Sequence, residues 1–364
     1  MRDRCVKGRR IGPFWKASSS QEAGLSWYKR ASEVRLATAA STPDANIARS
    51  VGTALIEALD SVLKGKRNQV VSVVTTLLAG GHLLLEDVPG VGKTKLARSV
   101  ARAIGGTFSR VQATPDLLPQ DLTGSNIYDR SKNSFEFHPG PIFANVVLVD
   151  ELNRTTPRTQ SALLEAMEER QVSVEGTTYK LPQPFFLIAT QNPIEQHGTY
   201  PLPEGQLDRF MCAIQLGYPS AHHELEMLMA GADGSLKDVT QPVVDPASVV
   251  AAQRETKAVY VARPVLEYVL AIVSASRRIP GVLLGASPRA GLALVAMAQA
   301  RAALAGRYYV LPDDVKALAP SVLRHRIIFA GSGQSDHHAG DALVRKILES
   351  TPVAVAGEEH YRPR

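Results

Sequence analysis

The segment from His82 to Thr94, HLLLEDVPGVGKT, joins an apolar run to a Gly-Val-Gly-Lys-Thr loop at an expected helix start. Leu83 to Leu85 predict a short strand, and Lys95 to Ile104, KLARSVARAI, continue at helical spacing. A strand, a Gly-x-Gly-Lys-Thr turn and a helix in this order suit a phosphate chain. Gly90 and Gly92 let backbone N–H groups approach closely, Lys93 supplies a cation, and Thr94 offers a hydroxyl to magnesium. The usual pattern has glycine five positions before Gly92, where this chain has Asp87. The competing reading is a surface turn with a chance Gly-Lys-Thr. The flanking strand and helix favour a nucleoside triphosphate loop made of Asp87, Val88, Pro89, Gly90, Val91, Gly92, Lys93 and Thr94.

Other elements take their places around this loop. Apolar residues recur at helical spacing from Ile47 to Leu78, with a break near Gly65, and predict two helices before the strand. A second strand is expected around Phe108 to Gln112, followed by a polar stretch rich in Pro, Asp and Gly. Then come a strand at Val146 to Val149, a helix near Arg158 to Glu169 and a hairpin from Gln171 to Leu181 turning at Glu175-Gly176. Phe185 to Thr190 and Met211 to Leu216 complete a set of continuous apolar strands separated by helices. That pattern predicts an α/β fold with a parallel sheet covered on both faces. Beyond Tyr218 only helices are expected: Ala221 to Ala230, Pro264 to Ser276, Pro288 to Leu304 and Pro312 to Leu323. Asp233 to Pro246 reads as a loose connection. The expected domains are a basic extension (1–44), a nucleotide-binding core (45–220), a helix and linker (221–245), a helical lid (246–330) and a tail (331–364).

The second acidic element bears on hydrolysis. In VVLVDEL, Asp150 and Glu151 end a buried strand at the carboxyl edge, where ligands of parallel sheets collect. Thr94 and Asp150 would hold magnesium, and Glu151 would polarise the attacking water as general base. A helix cap is the plainer role for such a pair; the phosphate loop upstream favours the catalytic one. Asn192, after Phe185 to Thr190, delivers an amide to the same edge, although Asn before Pro is also a common turn. Arg209 precedes the last strand in LPEGQLDRF. Arg289 follows a Ser-Pro helix start in GASPRAGLAL, with Ser287 as N-cap. A guanidinium suits the charge that spreads over a transferring phosphoryl group.

The chain has 364 residues, 45% of them hydrophobic, enough for a large core. No run approaches a membrane span and the N-terminus lacks an apolar signal core, so a cytoplasmic location is expected. Cys5 and Cys212 form neither a metal spacing nor a disulfide framework. The net charge of +6 resides in residues 1–36; residues 37–364 are balanced, which argues against a nucleic-acid partner. His222-His223 and His337-His338 lack a completing ligand set, so magnesium is the one metal expected.

The segments LLAGGHLLLEDVPGVGKT, VQATPDLLPQDLTGS, FHPGPIFANVVLVDELNR, LLEAMEERQVSVEG, FFLIATQNP, PLPEGQLDRF and GASPRAGL together resemble the MoxR family of AAA+ ATPases, in the helix-2-insert group. The resemblance spans about Ile47 to Ile328 and includes Asp87 in place of glycine. It implies an αβα P-loop core and a small helical lid with ATP and Mg2+ between them. It further implies Asn192 as sensor 1, Arg289 as sensor 2, and Arg209 as an arginine finger acting on a neighbour's ATP. A ring is therefore implied, usually a hexamer. Tyr128 to Phe137 would hold the helix-2 insert and Gln171 to Leu181 the pre-sensor hairpin. Such ATPases remodel partners, often von Willebrand A domain proteins, and some mature metalloenzymes. A magnesium-chelatase-like motor and a nucleic-acid motor are the alternatives. A GTP switch is disfavoured because TQNP offers no Asn-Lys-x-Asp guanine reader.

Overall fold

Side chains alternating across four apolar strands divide the chain into two packed layers. The computed structural model describes residues 46–192, 199–235, 238–329 and 337–353. The basic extension 1–44 and the end of the chain beyond 353 lie outside these residues, as do the side chains of His337 and His338. Two helices, α1 (Asn46–Val62) and α2 (Arg67–Leu78), lead into β1 (Leu83–Glu86), and the phosphate loop is followed by α3 (Lys93–Ala103). Next are β2 (Phe108–Gln112), α4 (Pro119–Thr123), the pair β3 (Gly124–Asp129) and β4 (Ser134–Pro139), and β5 (Val146–Asp150). Then follow α5 (Pro157–Glu169), the hairpin β6 (Gln171–Val174) and β7 (Thr177–Lys180), β8 (Phe186–Gln191), α6 (Glu204–Leu207) and β9 (Cys212–Ile214).

The main sheet has five strands in the order β2-β5-β8-β1-β9, all neighbours parallel. Because the strand period is two residues, Leu83 and Leu85, Val146 and Leu148, and Phe186 and Ile188 share one face, packed on α1, α2 and α3. Leu84, Val147, Val149, Leu187 and Ala189 share the other, against Leu163, Leu164 and Met167 of α5. The predicted parallel sheet with both faces covered is therefore present. The order brings the carboxyl ends of β1, β5 and β8 side by side, so the elements that follow them meet at one edge.

The polar stretch after Gln112 is more structured than expected. It contains the β3–β4 hairpin at the predicted insert, whose strands alternate weakly because neither face is deeply buried. This hairpin is tied to the β6–β7 hairpin, with Phe137 stacked on Tyr179 at 3.8 Å between ring centroids and Asn126 donating to Glu175 at 2.6 Å.

The second half is helical: α7 (Ala221–Ala232), α8 (Pro246–Lys257), α9 (Arg263–Ser276), α10 (Pro288–Leu304) and α11 (Pro312–Leu323). A short pairing of β10 (Val282–Leu284) with β11 (Ile328–Phe329) precedes α12 (His337–Ser350). Two helices were not expected. Helix α8 starts at Asp245-Pro246, where the Asp245 carboxylate accepts the Ser248 N–H at 2.6 Å, a start signal legible in the sequence. Helix α12 lies in the region predicted as a tail, yet Leu343, Val344 and Ile347 are buried in the same apolar cluster as α10 and α11. That cluster runs unbroken from the sheet to the lid. Glu255 of α8 fastens the two parts, accepting the N–H groups of Ile47 and Ala48 at the start of α1 at 3.1 and 3.2 Å.

Candidate active site

The loop between β1 and α3 forms one wall of a cleft of about 320 Å³ lined by Pro89, Gly90, Gly92, Lys93, Thr94, Arg110, Gln112, Asp150, Glu151 and Thr190. Gly90 and Gly92 adopt φ of +87° and +96°, in the region that favours glycine, and nothing stands within 4 Å of where a Cβ would lie. The loop is thus an open cradle of backbone at the N-terminus of an 11-residue helix. Lys93 donates to the carbonyl oxygen of Asp87 at 2.7 Å, which folds its ammonium back over the loop. An anionic phosphate chain with a divalent cation fits this donor set, with Lys93 and the helix start toward the phosphates and Thr94 and Asp150 toward the cation.

Asp87 does a different job from its neighbours in the loop. Its carboxylate is buried and turned from the cleft, accepting the backbone N–H of Leu216 and, at 3.1 Å, that of Gly217. Replacing the usual glycine with Asp therefore pins the end of β9 to the phosphate loop. Its contribution to the loop is through its carbonyl, which receives Lys93.

Across the cleft, Asp150 ends β5 and pairs with Arg110 Nε at 2.7 Å. Glu151 follows with φ +58°, a left-handed conformation for a non-glycine residue, and its N–H donates to Thr190 Oγ1 at 2.8 Å. Thr190 Oγ1 in turn donates to Asp150 Oδ1 at 3.4 Å. One hydroxyl on β8 thus holds both acids of β5. Glu151 Oε2 also accepts from Gln112 at 3.1 Å and Arg154 at 2.9 Å. Asn192 is buried one residue beyond β8, where the neighbouring Gln191 carbonyl accepts the Asp87 N–H at 3.2 Å.

Arg209 and Arg289 stand together but not in this cleft. Both pair with Glu168 of α5, Arg209 to Oε2 at 3.1 Å and Arg289 to Oε1 at 2.6 Å. Asp208 is the second link: it accepts Ser287 Oγ at 2.7 Å and Arg326 Nε at 2.8 Å, and lies 4.0 Å from Arg289. Ser287 caps α10 as predicted, accepting the Ala290 N–H at 3.3 Å.

Comparison with known proteins agrees with this geometry. Residues 82–212 match the model of the ATPase family associated with various cellular activities (AAA), and residues 274–347 match the AAA lid domain. YeaC of Bacillus subtilis is 47% identical over 82% of this chain and 94% of its own length. Chaperone MoxR1 of Mycobacterium tuberculosis is 39% identical over 83% of each chain. Protein MoxR of Methylorubrum extorquens is 31% identical over 79% of this chain and 91% of its own. The chain belongs to the MoxR family of AAA+ ATPases. A crystal structure from Cytophaga hutchinsonii, described as a candidate ATPase, superposes with TM-score 0.78 at 35% identity, covering 90% of this MoxR-family chain and 99% of the other.

Several residues of this MoxR-family site escaped sequence reasoning because their roles depend on strand order. Thr190, Arg110 and Gln112 face the acids only because β2 and β8 flank β5. Arg326 is buried at the end of the lid and clamps the segment bearing Arg209: besides Asp208, it donates to the carbonyls of Asp208 at 2.9 Å, Phe210 at 2.6 Å and Met211 at 3.2 Å. Burial lowers its pKa while Asp208 opposes that effect. At the head of β1, His82 is held neutral, its pKa lowered to about 3 by burial, with Arg170 adding to the effect. Its Nδ1 accepts the Leu187 N–H at 3.0 Å, so Nε2 carries the proton donated to Met167 O at 3.1 Å. At the other end, burial raises Glu86 to about 7, against the pull of Arg324.

Proposed function

We propose that this chain hydrolyses ATP in a ring of its own copies, usually a hexamer in the family, and uses the cycle to remodel partner proteins as a chaperone. Lys93 and the loop N–H groups bind the phosphates; Thr94 and Asp150 would hold magnesium, which when bound would supply positive charge against the phosphates. Glu151 orients and polarises the attacking water, and Asn192 positions it. Arg209 acts on ATP bound to the next subunit; Arg289, which the resemblance assigns to the ATP between its own core and lid, pairs with Glu168 beside Arg209, and we assign it to the same neighbouring ATP instead. The observation that carries this reading is the separation of two clusters: a cleft with cradle, cation and acids, and a pair of phosphate-suited arginines held together elsewhere by Glu168. Such a division is economical only if one copy completes another.

The name of Chaperone MoxR1 supports protein clients over nucleic acid. The von Willebrand A domain partner and a metalloenzyme client remain part of this proposal, as does action in the cytoplasm. Among the described residues no helix is long and apolar enough to cross a membrane. Steady-state phosphate release tests the chemistry. Glu151→Gln is expected to lose about 100-fold or more of turnover while keeping nucleotide binding, and Arg209→Ala about 1,000-fold. Normal turnover in either variant would refute the assignment.

A further inference from the structure

Among the described residues, nothing covers the apolar stripe of helix α7. None of its residues is buried, and Leu225, Leu228 and Met229 are 56%, 66% and 63% exposed. At about 100° per residue these three share one face, with Glu224 on one flank and His222, 3.4 Å from Glu226, on the other. The opposite side of the helix meets the body of the protein. There the His223 ring packs over Gly65, and Glu226, Met227 and Ala230 share a cleft with Val62, Lys64 and Lys95. Lys95 directly follows Thr94, so α7 lies beside the start of the phosphate-loop helix and turns its apolar stripe outward.

A surface of matching chemistry surrounds Arg289. Leu292, 72% exposed, lies three residues on from Arg289 and shares its helix face. Leu270, 62% exposed, is on the adjoining α9, which packs on α10 where Gly291 meets Val269 and Val273. Arg277 and Arg278 are exposed at the end of α9, Arg277 donating its Nε–H to the Ala286 carbonyl at 2.8 Å. This lid face is apolar and basic; the stripe on α7 is apolar and acidic-rimmed.

We propose that α7 is the docking helix for a second copy of this chain, receiving that copy's lid face. Leu225, Leu228 and Met229 pack against Leu270 and Leu292, and Glu224 meets Arg278. The inference rests on the reading that Arg209 and Arg289 serve a neighbour's phosphate loop: a copy presenting Arg289 there brings Leu292 alongside, next to α7. Charge decides against two other occupants. Two α7 helices packed by a two-fold axis would oppose carboxylates with carboxylates. A membrane surface favours helices whose polar face is rich in Lys and Arg, and α7 has neither.

The test is a pair of charge insertions on opposite sides of the contact, each on an exposed residue. Leu228→Glu and Leu292→Glu are expected to keep the wild-type circular dichroism spectrum and thermal midpoint. With magnesium and a slowly hydrolysed ATP analogue, each sediments as a monomer under conditions where the wild-type chain assembles. Mixing the two leaves one contact intact, Leu228 of the Leu292→Glu variant on Leu292 of the Leu228→Glu variant, so heterodimers form and turnover rises at least about ten-fold over either alone. Wild-type assembly by Leu228→Glu, or monomeric variants that fail to pair on mixing, overturns the proposal. A wild-type chain that stays monomeric at every concentration brings down the ring reading itself. Wild-type assembly with an inactive Arg209→Ala and a freely assembling Leu228→Glu brings down the docking helix alone.

Discussion

His82 and Glu86, at the two ends of β1, respond to acid in opposite directions. His82 falls from 6.5 to about 3 on folding, so between those values the unfolded chain binds a proton that the folded chain does not. Stability from His82 is complete above pH 6.5 and is lost as pH falls toward 3. Glu86 rises from 4.5 to about 7, so the folded chain keeps a proton that the unfolded chain has released. Its effect is to lower stability as pH rises from 4.5 to 7. Each slope is at most about 1.4 kcal/mol per pH unit, and from pH 4.5 to 6.5 they oppose one another. Glu86→Gln should expose the His82 slope, and urea unfolding at pH 4.5 and 6.5 will then show a larger acid loss than in the wild type. An identical profile would contradict this assignment. Thr190→Val tests the hydroxyl shared by Asp150 and Glu151. It strands the Glu151 N–H, at a cost of about 1–3 kcal/mol, and misplaces the acid. Turnover is expected to fall about 100-fold with nucleotide affinity little changed, read from single-turnover kinetics and a binding titration.

At the scale of elements, the lid holds the segment that carries Arg209. Arg326, just beyond α11, satisfies Asp208 and a row of carbonyls between α6 and β9. Arg326→Met leaves the Asp208 carboxylate without its main cationic partner. The expected loss is about 3–5 kcal/mol in denaturant unfolding. Retained stability would mean that water or Ser287 replaces the clamp. Most elements were legible where local pattern and tertiary setting agree. Buried strands β1, β5 and β8 are continuous apolar runs because both sheet faces are covered. The helix start at Ser287-Pro288 carries its own cap. Helix α12 was hidden because its few buried positions, Leu343, Val344 and Ile347, stand among polar residues and have meaning only against α9 and α11.

For the whole molecule, the proposed ring makes turnover a property of pairs. Lys93→Ala removes nucleotide binding but keeps the arginines, and Arg209→Ala keeps the cleft but lacks one of them. A mixture should therefore regain activity that neither variant has, as each defective copy supplies the other's missing half. Activity that stays at the sum of the two would place the arginines on their own chain's nucleotide. Specific activity of the wild-type chain should also rise with protein concentration until assembly saturates.

The sequence by itself determined the chemistry-bearing parts: the cradle from Gly90 to Thr94, the acids Asp150 and Glu151, and the capped helix that presents Arg289. These are local, since a turn, a strand end and a cap are specified by adjacent residues. Tertiary structure decided their company. Strand order β2-β5-β8 set Arg110, Gln112 and Thr190 around the acids, and the unbroken core between sheet and lid brought Arg209 and Arg289 to one carboxylate, Glu168. Asp87 shows both levels at once. Its place in the loop follows from the sequence, but the direction of its carboxylate, toward Leu216 and Gly217, follows from the parallel pairing of β1 with β9.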